Sequence, residues 1–296
     1  MSTQTHRLNL SAGLASVLVA AVLVGLKLWA LWITGALSIA ASLTDSAMDL
    51  MVSLGAVLAI LYAARPADDD HAFGHSSAED LAALAQAALV LVSAGVILWT
   101  AAGRLLGTAE PLTAQGAGIT VMVVSVVLTG ALVAWQTRVA RRTGNRVVAA
   151  DRLHYLGDLI PTAGAILALW LSDRFGLTRV DAVIAALAAL WMGRGALGIG
   201  RAAWDALMDR TADPKIVAGV AEMARAIPEI RGFHDLRTRT AGSRLFVHIH
   251  IELDGDQPLR QAHATAARLK AQILERHPGA YVIVHQDVAK TDPAQP

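Results

Sequence analysis

Two carboxylates stand one helical turn apart in an otherwise apolar stretch. The segment "SLTDSAMDLMVSLGAVLAI", residues 42–60, carries Asp45 and Asp49, and "HYLGD" later repeats the interval with His154 and Asp158. Spacing of i, i+4 puts each pair on one helix face. A charge at the centre of a membrane helix costs roughly 2.5 to 3.5 kcal/mol on insertion scales, so matched pairs of such groups point to function. If the two helices face each other, three carboxylates and one imidazole form an O3N set. That set suits a borderline divalent ion such as Zn2+ in tetrahedral geometry. An empty site of close carboxylates holds protons, because like charges oppose joint ionisation. Metal entry then displaces those protons, which is the chemistry of a metal/proton exchanger.

Two further clusters have ligand character. The loop "RPADDDHAFGHSSAED" brings Asp68, His71 and His75 into Zn-like spacing, and the run Asp68-Asp69-Asp70 attracts cations. Near the end of the chain, His285 and Asp287 are i, i+2 on one strand face, and His248 and His250 share a face of an earlier strand. His234 and His263 can join them from a neighbouring strand and helix. His248 itself reads as an exposed strand histidine. The chain contains no cysteine, which excludes disulfides and thiolate metal sites. Two motifs fail their context. "GRGALG" fits G-x-G-x-x-G but ends an apolar helix instead of following a strand, so helix packing explains it better than dinucleotide binding. "HAFGH" has Ala72 where the H-E-x-x-H proteases need their general base.

These residues must be positioned by membrane helices. The chain is 55% hydrophobic and 17% charged, too apolar for an ordinary soluble domain. Its net charge of +1 gives no case for nucleic acid binding. Six apolar runs approach the length of a span: residues 10–33, 38–64, 81–103, 111–137, 147–171 and 180–200. Lys27 lies near one end of the first, where it can snorkel to the interface. The fourth connection holds Arg138, Arg141, Arg142 and Arg146, whereas the opposite connections carry few cations. The positive-inside rule therefore puts both termini in the cytoplasm. No cleavable signal peptide is apparent. From about Trp204 the chain turns polar. Helical spacing over residues 214–227, strict alternation in "LFVHIHIELD", a hairpin at Ala241-Gly242, a helix over 258–276 and a strand "AYVIVHQD" give the order α-β-β-α-β, a small two-layer α+β domain. The expected division is a six-helix membrane domain over residues 1–205 and a soluble domain over 206–296.

"DSAMD" and "HYLGD" resemble the paired motifs of the cation diffusion facilitator family, in its bacterial zinc- and iron-efflux branch. The likeness extends over essentially the whole chain. It implies six transmembrane helices with a metallochaperone- or ferredoxin-like cytoplasmic domain, working as a homodimer in the bacterial inner membrane by alternating access. It implies export of Zn2+, with Cd2+ or Fe2+ as further substrates, against protons. Matched position by position, the transport site is Asp45, Asp49, His154 and Asp158. The loop site is Asp68, His71 and His75, and a dinuclear cytoplasmic site comprises His234, His250, His263, His285 and Asp287. Many relatives carry a lysine in an interprotomer salt bridge where this chain has Ser77, so the interlock between protomers differs here. Glu79 matches the family and reads as structural. The competing class is a membrane metal sensor that binds without transporting. Ionisable residues matched across two spans are unnecessary for that role.

Overall fold

The computed structural model describes residues 3–34, 37–106, 116–175 and 180–289. The chain divides into two compact units, Gln4–Trp204 and Asp205 onward. The first is helical: α1 (Thr3–Thr34), α2 (Leu37–Ala63), α3 (Ala78–Leu106), α4 (Gly116–Thr143), α5 (Arg146–Phe175) and α6 (Val180–Leu207). Five of these contain stretches long and apolar enough to cross a membrane: Thr5–Ile33, Asp45–Ala63, Ala78–Leu106, Val123–Thr143 and Ala182–Leu207. α5 is not among them: its side chains are described only through residue 160. Residues 111–115, the start of the fourth expected span, lie outside the described residues.

The α4–α5 junction shows how local chemistry sets a helix boundary. Gly144 adopts φ +66°, a left-handed conformation that glycine tolerates, and its N–H reaches the Ala140 carbonyl at 2.9 Å. Asn145 Oδ1 then accepts from the Val148 N–H at 3.0 Å, capping the new helix. Asp80, in the first turn of α3, receives Arg146 Nη1 at 2.5 Å in a buried ion pair. Arg146, one of the arginines that orient the chain by sequence, is thus also a structural tie between α3 and α5.

α5 packs against α2, α3 and α4. Close approach is built from small residues. A Cβ on Gly13 would lie 2.8 Å from Val57 of α2, and one on Gly157 would collide with the Met192 side chain of α6. Gly157 sits inside "HYLGD", so the motif's glycine serves helix packing. The "GRGALG" run lies within α6, where a Cβ on Gly195 would come to 3.0 Å from Leu153.

The second unit carries α7 (Pro214–Arg225), β1 (Gly232–Ala241), β2 (Arg244–Leu253), α8 (Leu259–Arg276) and β3 (Tyr281–Val288). Asp213 caps α7 by accepting from the Lys215 N–H. Gly242, at φ +54°, makes the tight turn between β1 and β2. β1 and β2 are antiparallel; β2 and β3 are parallel, joined through α8. Leu245, Val247, Ile249, Ile251 and Leu253 are all buried, with Val220 of α7 and Leu269 and Ile273 of α8 in the same core. The alternation in "LFVHIHIELD" therefore divides a covered face from one on which the histidines stand.

Candidate metal centres

In the membrane unit, α2 and α5 bring Asp49, His154 and Asp158 together. Each offers a ligand atom, and these atoms lie within 4.8 Å of one another. His154 Nε2 is 3.0 Å from Asp49 Oδ1, with the two side chains only 18% and 19% exposed. Asp45 lies one turn before Asp49 and is exposed, outside the trio's ligand range among the described residues. Asp49 and Asp158 open on a cavity of about 90 Å³ that also touches Lys27, Ser46, Ser125, Thr129 and Tyr155. Lys27 corrects the interface expectation. Its stem turns inward and its Nζ donates to Ser46 Oγ at 2.6 Å. Ser125 and Thr129 share the i, i+4 interval of the acidic pairs, the one signal by which sequence could have found this polar wall on α4.

A buried polar hub fixes α5 next to the trio. Gln136 Nε2 of α4 donates to Ser16 Oγ of α1 at 2.9 Å and to Asp151 Oδ2 at 2.7 Å; Ser16 Oγ donates to the same Asp151 oxygen at 2.5 Å. Tyr155 donates its hydroxyl to the Ser16 carbonyl at 3.3 Å and pairs with Ser53 Oγ of α2 at 2.8 Å. Asp151 is 2% exposed. The hub pins α1, α2 and α4 to the helix that carries two of the ligands. Sequence reading missed it because hydroxyl and amide groups are common in helices.

In the loop, Asp68, His71 and His75 converge as expected. Asp68 Oδ1 accepts from the His71 N–H at 2.7 Å, and Asp68 Oδ2 lies 3.3 Å from His75 Nε2. The His71 backbone amide holds the Asp68 carboxyl below the usual carboxylate range. His75 is buried, with Nδ1 3.1 Å from the Pro66 carbonyl and its ring edge-on to Tyr62. Gly74 at φ +84° makes the bend between the histidines. A carbonyl that fixes one ring nitrogen leaves the other for a metal.

In the soluble unit, strand register aligns His234, His250 and His285 in one cross-strand row. Asp287 Oδ2 lies 2.9 Å from His250 Nδ1 and 3.4 Å from His234 Nε2, while Oδ1 lies 3.2 Å from His285 Nε2. One carboxylate thus spans two imidazole groups on one side and a third on the other, a layout able to bridge two ions. Hydrogen bonding to His250 holds Asp287 below its ordinary range. His234 also meets Glu252 Oε1 at 2.9 Å, a neighbour that alternation alone did not single out. A register shift between His234 and Arg237, with Asp235 at φ +48°, sets the aim of His234. His263 stands apart: it is exposed on α8, and that helix covers the apolar face of the sheet, opposite the histidine row. His248 lies next to His250, rings 5.1 Å apart, outside the ligand groups.

The two units match two consecutive family models: the cation efflux transmembrane domain over residues 13–208, and the cation efflux protein cytoplasmic domain over 212–289. This chain belongs to the cation efflux family. Among relatives of this cation efflux protein, the cation-efflux pump FieF of Cronobacter sakazakii is 40% identical over 293 residues, covering 99% of this chain and 97% of the relative. FieF of Klebsiella pneumoniae is 39% identical over 294 residues, covering 99% and 97%. FieF of Escherichia coli is 38% identical over 295 residues, covering 100% and 98%. The cation efflux protein is therefore a multi-pass membrane transporter, with an apolar helical domain and a C-terminal domain built on a small sheet.

Proposed function

We propose that this protein is a homodimeric divalent metal/proton antiporter that exports Zn2+ from the cytoplasm by alternating access, with Cd2+ and Fe2+ as further substrates. The observation that carries the reading is the Asp49–His154–Asp158 trio between α2 and α5. Two carboxylates and an imidazole suit a borderline divalent cation, and the same groups accept protons when the ion leaves. Asp45 completes a fourth ligand position when α2 and α5 close on the ion. The membrane domain covers residues 1–205 with six spans, both termini lie in the cytoplasm of a bacterial inner-membrane protein, and residues 206–296 form the ferredoxin-like dimerisation domain.

Asp68, His71 and His75 gather metal near the entrance. His234, His250, His285 and Asp287 bind metal in the tail. That occupancy couples cytoplasmic metal supply to the membrane domain. The names of the FieF relatives support efflux of cations, and the matched cytoplasmic domain supports dimerisation. The deciding measurement is Zn2+-driven proton movement in proteoliposomes, repeated with Cd2+, Fe2+ and Mn2+. Zn2+ flux should drive opposite proton flux. Metal flux without proton movement would remove the antiport, and binding without flux would leave a sensor.

A further inference from the structure

The cavity beside the ligand trio contains a positive charge that metal ligation does not require. Lys27 is half-buried on α1 and lines the same space as Asp49 and Asp158. Its Nζ is anchored 2.6 Å from Ser46 Oγ, and Ser46 follows Asp45 directly in the chain. Lysine on an apolar helix ordinarily extends its stem along the surface and keeps its head in water. Here the stem carries the head the other way, into the acidic cavity.

We infer that Lys27 is a tethered counter-cation of the transport site. With no ion bound, its ammonium balances part of the carboxylate charge. When a divalent ion arrives, the ammonium, held by Ser46 at the edge of the cavity, opposes it. Three carboxylates, one divalent ion and one ammonium sum to zero charge, so the loaded site is neutral in a low-dielectric setting where excess charge is costly. Lys27 thereby holds metal affinity low enough for release on the far side. It is a positioning residue for charge and does not ligate the ion. The inference rests on reading Asp45, Asp49, His154 and Asp158 as the transport site.

The test uses the full chain purified in detergent. Zn2+ binding is measured by calorimetry at alkaline pH for wild type and for Lys27→Met, Lys27→Gln and Lys27→Arg, each alone and combined with Asp158→Asn. Zn2+ turnover is followed in proteoliposomes. Removing the charge should tighten Zn2+ binding by about tenfold or more, the lower end of couplings between close charge pairs. It should also slow turnover, because release is impaired. Lys27→Arg should keep wild-type affinity, and the effect should vanish on the Asp158→Asn background. Unchanged or weaker binding in both neutral variants, eluting as wild type does, overturns the inference, as does an equal gain in Lys27→Arg. If Asp158→Asn alone leaves Zn2+ binding intact, the site assignment fails and not the role of the lysine.

Discussion

The membrane trio and the tail row use the same side-chain chemistry in opposite surroundings. Asp49 and His154 are 19% and 18% exposed; His234 and His285 are 49% and 56% exposed. The first is built from helix turns and the second from strands in register. Under the proposed reading, ion and protons share the same atoms, because a membrane interior offers no water to replace a lost ligand. On the sheet, His234 and His285 stand open to water, whereas His250 and Asp287 are half-buried. The two clusters thus differ in the elements that hold them and in the exposure of Asp49 and His154 against that of His234 and His285.

The largest expected effect breaks the membrane half of this contrast. Asp49→Ala or Asp158→Ala should abolish Zn2+ transport while the protein still elutes as a dimer; undiminished Zn2+ uptake into proteoliposomes by either variant would sink the assignment. The helix frame comes next. Asp151→Leu removes the acceptor shared by the Gln136 amide and the Ser16 hydroxyl, leaving Gln136 with Ser16 Oγ and Ser16 with the Ala12 carbonyl, so the hub as a whole should lose about 1–3 kcal/mol. Thermal melts in detergent should show that loss irrespective of added metal, and a melt matching wild type would remove the hub from the account.

A smaller effect tests the tail half. His285→Ala should change how Zn2+ shifts the melting temperature while leaving maximal transport nearly unchanged, and total loss of transport in a folded protein would contradict the division of labour. The smallest is a pH effect in metal-stripped protein. Because Asp287 is held below its ordinary range, what its charge contributes to stability is fully present above the unfolded carboxylate value, about 3.9. It is lost as pH falls through the lower folded value. The stability gap between wild type and Asp287→Asn should therefore close only below that unfolded value; a gap that closes at higher pH would contradict the shift.

The ligand pairs were legible because periodicity converts directly into position. Four residues on a helix or two on a strand share a face, and a carboxylate in an apolar run is too costly to be idle. The tail's element order was legible for the same reason, since its alternation matches the buried face residue by residue. Lys27 was misread because one lysine in an apolar helix has the same pattern whether its stem turns outward or inward; only the partner, Ser46, decides. Asp151 and Gln136 were missed because their meaning lies in contacts between helices remote in sequence. Asp45 shares the spacing of its pair and His263 enters through the family resemblance, yet neither falls within ligand range inside the single chain among the described residues.

The parallel pairing of β2 with β3 has a consequence for assembly of the tail. β3 is an edge strand, laid down only after α8 has crossed back, so its partner must be found across a long intervening segment. A slip of one residue would turn His285 and Asp287 to the covered side and put Val284 and Gln286 in their place. The slipped sheet would have no carboxylate against His250 and nothing to clamp an ion. The native alignment is therefore the one that sets Asp287 against His250 and His285 on the open face of the sheet.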